Sequence, residues 1–327
     1  MILRLVRRLV RPERGGNSKQ IRQGVTNCYG LWRENAHNAA MSTATSSPQA
    51  KLLTLSQEDI EFYHANGYLH VKGVYSQDEV GRLNAELEEA AADWGILGGG
   101  WKSPGNDGKS KVLVMHRLEY YSPAWDQARA SKKMVDVAQD LLGPNVEYIG
   151  SSTHTKPGQH GGAFPMHQDS LFYGHATPDL LICMVHLDDT YEANGPISFI
   201  PRPVAELRHI PHTKETDPEN GGPYMDPDEF KLEDAVSVDC KAGDVVIFNI
   251  FTIHGSGRNN TDAPRRAVVF RYRDPENKQV VGENGPFTNN REGFGIMARG
   301  KRPPIEGMCA APGGEINAPQ PRSHYGG

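Results

Sequence analysis

Gly243-Asp-Val-Val-Ile-Phe-Asn-Ile-Phe-Thr-Ile-His-Gly-Ser-Gly257 is an apolar run entered by a Gly-Asp turn and left through glycines. Residues 244–251 read as a strand. Short strands alternate with turns on both sides of it: 146–155, 180–187, 196–200 and 236–238 before, 266–273 after. Helical patterns come earlier. Ser56, with Asp59 three residues on, reads as an N-cap for a helix that ends at Gly67. Tyr68-Leu-His-Val-Lys-Gly-Val alternates as a strand. A second helix opens at Ser76-Gln-Asp-Glu and runs to about residue 93, with Val80, Leu83 and Leu87 on one face. A strand is expected over 111–118. A third helix is expected over 123–142, stopped by Gly143-Pro144.

Helices first and antiparallel strands second predict an α+β domain. Its core is expected to be a double-stranded β-helix, a jelly roll of cupin-like form, with N-terminal flanking helices. The domain is expected over residues 51–282, followed by a Gly/Pro-rich extension over 283–327. The segment 209–234, rich in Pro, Gly and acids, reads as a long loop over the barrel mouth, and loops of that length usually carry function.

His254 closes the apolar run, and Phe164-Pro-Met-His-Gln-Asp-Ser170 supplies a second histidine and a carboxylate. In an extended chain residues i and i+2 face the same way, so His167 and Asp169 point together and Gln168 points away. Two imidazoles and one carboxylate form the ligand set that holds Fe(II) by one face and leaves the other for a co-substrate and O₂. The Gly-Ser-Gly after His254 is expected to let the backbone pass close to a bound group. A keto-acid co-substrate needs a base for its far carboxylate. Arg265 and Arg266, at the start of the next strand, are both candidates, because a guanidinium donates two parallel hydrogen bonds to a carboxylate.

The bulk numbers bound the function. Gly (35) and Pro (23) favour many short elements joined by turns over a helical bundle. A net charge of −5 argues against non-specific nucleic-acid binding. No apolar run approaches the roughly 20 residues of a membrane span. Cys28, Cys183, Cys240 and Cys309 lie far apart, which argues against a thiolate zinc site and a disulfide framework. The first 40 residues carry eight basic and two acidic side chains, and the remainder a net charge of −11. Residues 1–50 therefore read as a targeting or disordered segment: a mitochondrial transit peptide, or a stretch upstream of a start at Met41 in a cytoplasmic protein.

Together these residues resemble the phytanoyl-CoA dioxygenase family over about residues 57–275. The carriers are Thr155-Lys-Pro-Gly, Met166-His-Gln-Asp, Asp179-Leu-Leu-Ile-Cys, Asn194-Gly-Pro-Ile, Gly243-Asp-Val-Val-Ile-Phe, and His254-Gly-Ser-Gly-Arg-Asn-Asn-Thr-Asp-Ala-Pro-Arg265. The resemblance implies a non-haem Fe(II)- and 2-oxoglutarate-dependent dioxygenase, an oxidoreductase that uses O₂ and releases succinate and CO₂. It implies His167, Asp169 and His254 as metal ligands. It selects Arg265, eleven residues past the distal histidine, for 2-oxoglutarate. Ser256 is implied as a second contact and Ser152 as a lining residue. Related halogenases carry a small residue in place of the ligand carboxylate, so Asp169 implies hydroxylation.

One stretch departs from the family pattern. Where many members continue into Pro-Gly-Ser-His, this chain reads Pro201-Arg-Pro-Val, on the substrate side. A small-molecule substrate is expected, without its identity; oligomeric state is not legible. Two other classes fit parts of the pattern: a non-catalytic jelly-roll binding module, and a zinc hydrolase using the same three ligands. Among the remaining residues, His154 and His186 read as structural, His186 as a satisfied polar group in a core strand. Lys156 reads equally as a co-substrate contact or a turn support. Trp94, Trp101 and Trp125 read as helix packing, and Arg273 as a surface residue.

Overall fold

The computed structural model describes residues 52–97, 101–104, 111–159, 161–172, 174–213, 215, 223–277 and 295–303. Helix α1 (Gln57–Asn66) begins where the Ser56 hydroxyl accepts the Asp59 N–H and the Asp59 carboxylate accepts the Ser56 N–H. It ends at Gly67, whose φ of 78° is left-handed and suits glycine. A Cβ there would lie 3.0 Å from the Arg202 carbonyl. Strand β1 (Tyr68–Val71) follows. Helix α2 (Gln77–Leu97) starts with a second reciprocal cap between Ser76 and Glu79 and runs four residues past its expected end.

Strand β2 (Trp101–Pro104) pairs with β3 (Lys111–Val114). The strand expected over 111–118 stops at Val114, because Arg117 takes a left-handed φ of 61° and turns the chain into α3 (Leu118–Tyr121). The single helix expected over 123–142 is two, α4 (Pro123–Arg129) and α5 (Lys132–Leu142). The break falls at Ser131, whose hydroxyl caps α5 by accepting the Met134 N–H.

The strands form two antiparallel sheets, and the α+β jelly-roll expectation holds. The larger has the order β1-β9-β6-β11-β4-β3-β2, comprising also β4 (Val146–Lys156), β6 (Leu180–His186), β9 (Val245–Asn249) and β11 (Arg265–Arg273). The short β12 (Ile296–Arg299), within the Gly/Pro-rich extension, pairs with β4. The smaller has the order β5-β10-β7-β8, from β5 (Phe164–His167), β10 (Ile253–Ser256), β7 (Ile197–Ile200) and β8 (Val236–Ser237).

Alternation along the strands builds two cores. On β6, Leu181, Cys183 and Val185 pack outward with Val80, Leu83 and Leu87 of α2 and with Trp125 of α4. Leu180, Ile182 and Met184 face the other way, with Ile197, Phe199, Phe248 and Val269, between the sheets. A strand covered on both faces has to be apolar throughout, which is why this one carries no clean polar alternation. No helix among the described residues is long and apolar enough to cross a membrane.

The opening run corrects one expectation. The strand expected over 244–251 ends at Asn249. The Asn249 side-chain carbonyl accepts the Phe251 N–H at 2.8 Å, and its main-chain carbonyl accepts the Thr252 N–H. This Asx turn carries the chain from the large sheet to the small one, so His254 stands on a separate strand.

Candidate metal centre

His254 on β10 and His167 on β5 are directly opposed in the antiparallel ladder. Asp169 follows through Gln168, which is extended (φ −122°, ψ 138°), and opens the 3₁₀ turn Asp169–Leu171. The carboxylate therefore keeps the side of the chain that His167 occupies, though β5 itself ends at His167. Both His167 Nε2 and His254 Nε2 lie 3.8 Å from Asp169 Oδ1. The three donor atoms lie within 4.8 Å of one another. Bonds of about 2.0–2.2 Å to one divalent ion admit donor pairs up to roughly 4.2 Å apart, so both carboxylate–imidazole spacings fit one ion.

Each imidazole is set by its main chain. His167 Nδ1–H donates to the Pro165 carbonyl at 2.8 Å, and His254 Nδ1–H to the Thr252 carbonyl at 3.0 Å. A carbonyl only accepts, so the hydrogen sits on Nδ1 and the Nε2 lone pair points at the shared position. Burial, aided by the neighbouring His167, lowers the His254 pKa to about 4. It is thus neutral, the form a metal requires.

The donors border a cavity lined also by Phe164, Ile182, Met184, Phe248, Ser256 and Arg265. Arg265 is buried, and its Nη2 donates to the Gly195 carbonyl at 3.2 Å, while its Nε–H has no partner among the described residues. Burial lowers its pKa to about 10, which leaves it cationic at neutral pH. Arg266, one residue on, faces away. Its Nε and Nη2 grip the two Asp188 oxygens at 2.9 and 2.8 Å, and its Nη1 donates to Glu88. Strand parity thus leaves Arg265 as the guanidinium available to a carboxylate in the cavity.

His167, Asp169, His254, Ser256 and Arg265 accordingly share one cavity. Ser152 does not line it. Its hydroxyl accepts from Arg271 Nη2 at 2.8 Å and lies 3.3 Å from His154 Nε2. His154, read from the sequence as structural, does line the cavity. Its i+2 relation to Ser152 and Lys156 on β4 was the available signal.

Three further expectations change. His186 is completely buried, yet among the described residues neither ring nitrogen has a hydrogen-bond partner, unlike the satisfied polar group expected. Arg273 is buried and donates to Glu147 at 2.7 Å instead of lying at the surface, because the inward parity of Arg265 continues along β11. The close approach at Gly255 is to β5: a Cβ there would lie 2.8 Å from both the Met166 sulfur and the Phe164 carbonyl. Trp125 is buried in the outer core as expected, while the side chains of Trp94 and Trp101 lie outside the described residues.

The expected mouth loop is tied to the ligand strand through Gln168. The Gln168 N–H donates to His212 Nε2 at 3.0 Å. Its side-chain amide donates to the Arg208 and Phe251 carbonyls and accepts the Ile210 N–H. Met225 and Phe230 of the same loop pack with Met166 and Ile253. Arg202, in the stretch that departs from the family pattern, lies over the Phe230 ring at 5.7 Å.

Comparison with known proteins supplies an independent measure. The family model described as Phytanoyl-CoA dioxygenase (PhyH) matches residues 63–267. An ectoine dioxygenase of Bordetella parapertussis is 28% identical over 241 residues, covering 68% of this chain and 77% of the relative. Dioxygenase lolE1 of Epichloe uncinata is 30% identical over 235 residues, covering 70% and 85%. The crystal structure of EctD from S. alaskensis, with 2-oxoglutarate and 5-hydroxyectoine, superposes with a TM-score of 0.59 at 23% identity, covering 81% of this chain and 92% of that one.

Proposed function

This chain belongs to the phytanoyl-CoA dioxygenase family of Fe(II)- and 2-oxoglutarate-dependent dioxygenases, and from that premise we propose that it hydroxylates a C–H bond of a small molecule. The observation that carries the proposal is a single cavity with three metal donors, His167, Asp169 and His254, and a buried guanidinium, Arg265. Iron, when bound with 2-oxoglutarate and O₂, couples decarboxylation of the keto acid to succinate and CO₂ with oxidation of the substrate.

The protein's own work is placement and exclusion. His167 and His254 present their Nε2 atoms, each ring oriented by its carbonyl partner, and Asp169 adds the carboxylate. Arg265 and Ser256 hold the distal carboxylate of 2-oxoglutarate. Ile182, Met184, Ile197, Phe248 and Val269 wall that site and keep water out, which strengthens the charged contact. The loop held by Gln168, the residue between the ligands His167 and Asp169, shapes access for the substrate.

The ectoine dioxygenase relative is named for a small molecule, which supports the substrate class. Pro201-Arg-Pro-Val, with Arg202 over Phe230, points to a substrate other than those for which the family is named. A zinc hydrolase using the same three donors would not need Arg265, and the complete donor set beside that arginine weighs against a non-catalytic binding module.

The test is anaerobic addition of Fe(II) and 2-oxoglutarate, followed by aerobic screening of metabolite pools for compounds that accelerate succinate formation. A visible charge-transfer band and substrate-stimulated succinate are expected. Absence of both would overturn the assignment.

A further inference from the structure

Lys156 is completely buried at the end of β4, and its strand partner across the ladder is Arg265. The two cationic side chains therefore point to the same face of neighbouring strands, at the same level. The Lys156 ammonium donates to Ser256 Oγ at 2.7 Å and to the carbonyls of Ser256, at 3.5 Å, and Gly257. It also lies 5.4 Å from the centre of the Phe164 ring. An ammonium has three hydrogens and no lone pair, so Lys156 can only donate to Ser256. A serine hydroxyl that accepts from an ammonium keeps its own hydrogen for another acceptor, and Ser256 borders the cavity that holds Arg265.

We propose that Lys156 is a positioning residue for co-substrate selection: it turns the Ser256 hydroxyl into a fixed donor toward the distal carboxylate beside Arg265. This rests on the reading of the cavity as a 2-oxoglutarate site. Lys156 need not touch the ligand. Its contact makes Ser256 a better donor, because a hydroxyl polarised by a cation gives up its hydrogen-bond proton more readily. The consequence is selectivity for keto acids with a terminal carboxylate over those ending in a methyl group. A lysine that only closes the barrel end would affect both kinds of keto acid alike.

The experiment is calorimetric binding to the full chain, with Mn(II) in place of iron and without turnover. The probes are 2-oxoglutarate and 2-oxopentanoate, which keeps the keto-acid head and the chain length but lacks the second carboxylate. Wild type is expected to prefer 2-oxoglutarate. Lys156→Met should weaken 2-oxoglutarate about tenfold, the worth of one charge-assisted hydrogen bond, and leave 2-oxopentanoate unchanged. Ser256→Ala should do the same, and the double variant should be no worse than either single one, since both act through one hydroxyl. Equal weakening of both ligands by Lys156→Met, or single losses that add in the double variant, would overturn the proposal. Should Lys156→Met fail to fold, Lys156→Gln keeps an N–H donor, uncharged and one bond shorter. It should show a smaller loss confined to 2-oxoglutarate, and an unchanged affinity or an equal loss for both ligands overturns the idea. Wild type without preference for 2-oxoglutarate would instead sink the reading of the cavity itself.

Discussion

His254 is the register partner of His167 across β10 and β5, with the ring centroids 4.2 Å apart. Each ring donates its Nδ1 hydrogen to the carbonyl two residues earlier, so the two ligands repeat one local device on facing strands. Two donors are thereby placed by a single ladder pairing, and Asp169 completes the set from the following turn.

Replacing either histidine leaves two donors, and His167→Ala should abolish substrate-stimulated succinate release. The same variant should lose the charge-transfer band with Fe(II) and 2-oxoglutarate. Its thermal midpoint without metal should change little, because His167 is only partly buried. Retained turnover in a chromatographic succinate assay would sink the ligand assignment.

Arg265 and Arg266 should separate cleanly. Arg265→Ala should raise KM for 2-oxoglutarate at least about tenfold, through loss of a charged hydrogen-bond pair. Arg266→Ala should leave that KM unchanged but cost about 1–2 kcal/mol of stability, because Asp188 loses its two side-chain donors. Kinetics and denaturant melts on both variants check this, and an exchange of the two phenotypes would contradict the strand parity.

Gln168→Leu keeps the side-chain size but removes three hydrogen bonds to residues 208, 210 and 251. The loop beside the metal donors should loosen, and cleavage by a protease in the 208–215 region should quicken several-fold. Unchanged proteolysis would show that Met225 and Phe230 hold the loop on their own.

His186 governs part of the acid response. Burial, aided by the nearby charge of Arg265, lowers its pKa to about 3 from an ordinary value near 6.5. Between those values the unfolded chain takes up a proton that the folded one refuses. Stability is therefore whole above about pH 6.5 and falls as the pH drops toward 3, by about 1.4 kcal/mol per pH unit for this one group. His116 and His212, both lowered to about 4 chiefly by burial, add to the same trend. His186→Leu should flatten the slope by one proton. At pH 7 it should stabilise by roughly 1–3 kcal/mol, since an unpartnered buried polar ring is removed. Denaturant unfolding of metal-free protein at pH 7.0, 6.0 and 5.0 measures both effects, and parallel slopes for the two proteins would refute the account.

Much of this protein is decided by the order of its residues. The caps at Ser56 and Gly67, the change from helices to short strands, and the H-x-D pair joined by an extended Gln168 are local properties, set by side-chain chemistry and by the two-residue period of a strand. The same period separates Arg265 from Arg266 once the strand's inner face is known. Only the tertiary structure tells which face that is, because it depends on β6 and β4 lying beside β11 and on the second sheet closing over them. The split of the third helix at Ser131 and the crossing of the chain at Asn249 turn on single side chains that bond the main chain, which periodicity does not register. The pairing of His167 with His254, the bond from Lys156 to Ser256 and the unpartnered state of His186 join residues far apart in the chain. They exist because closing the barrel buries polar groups beside partners, or without them, that no local pattern names.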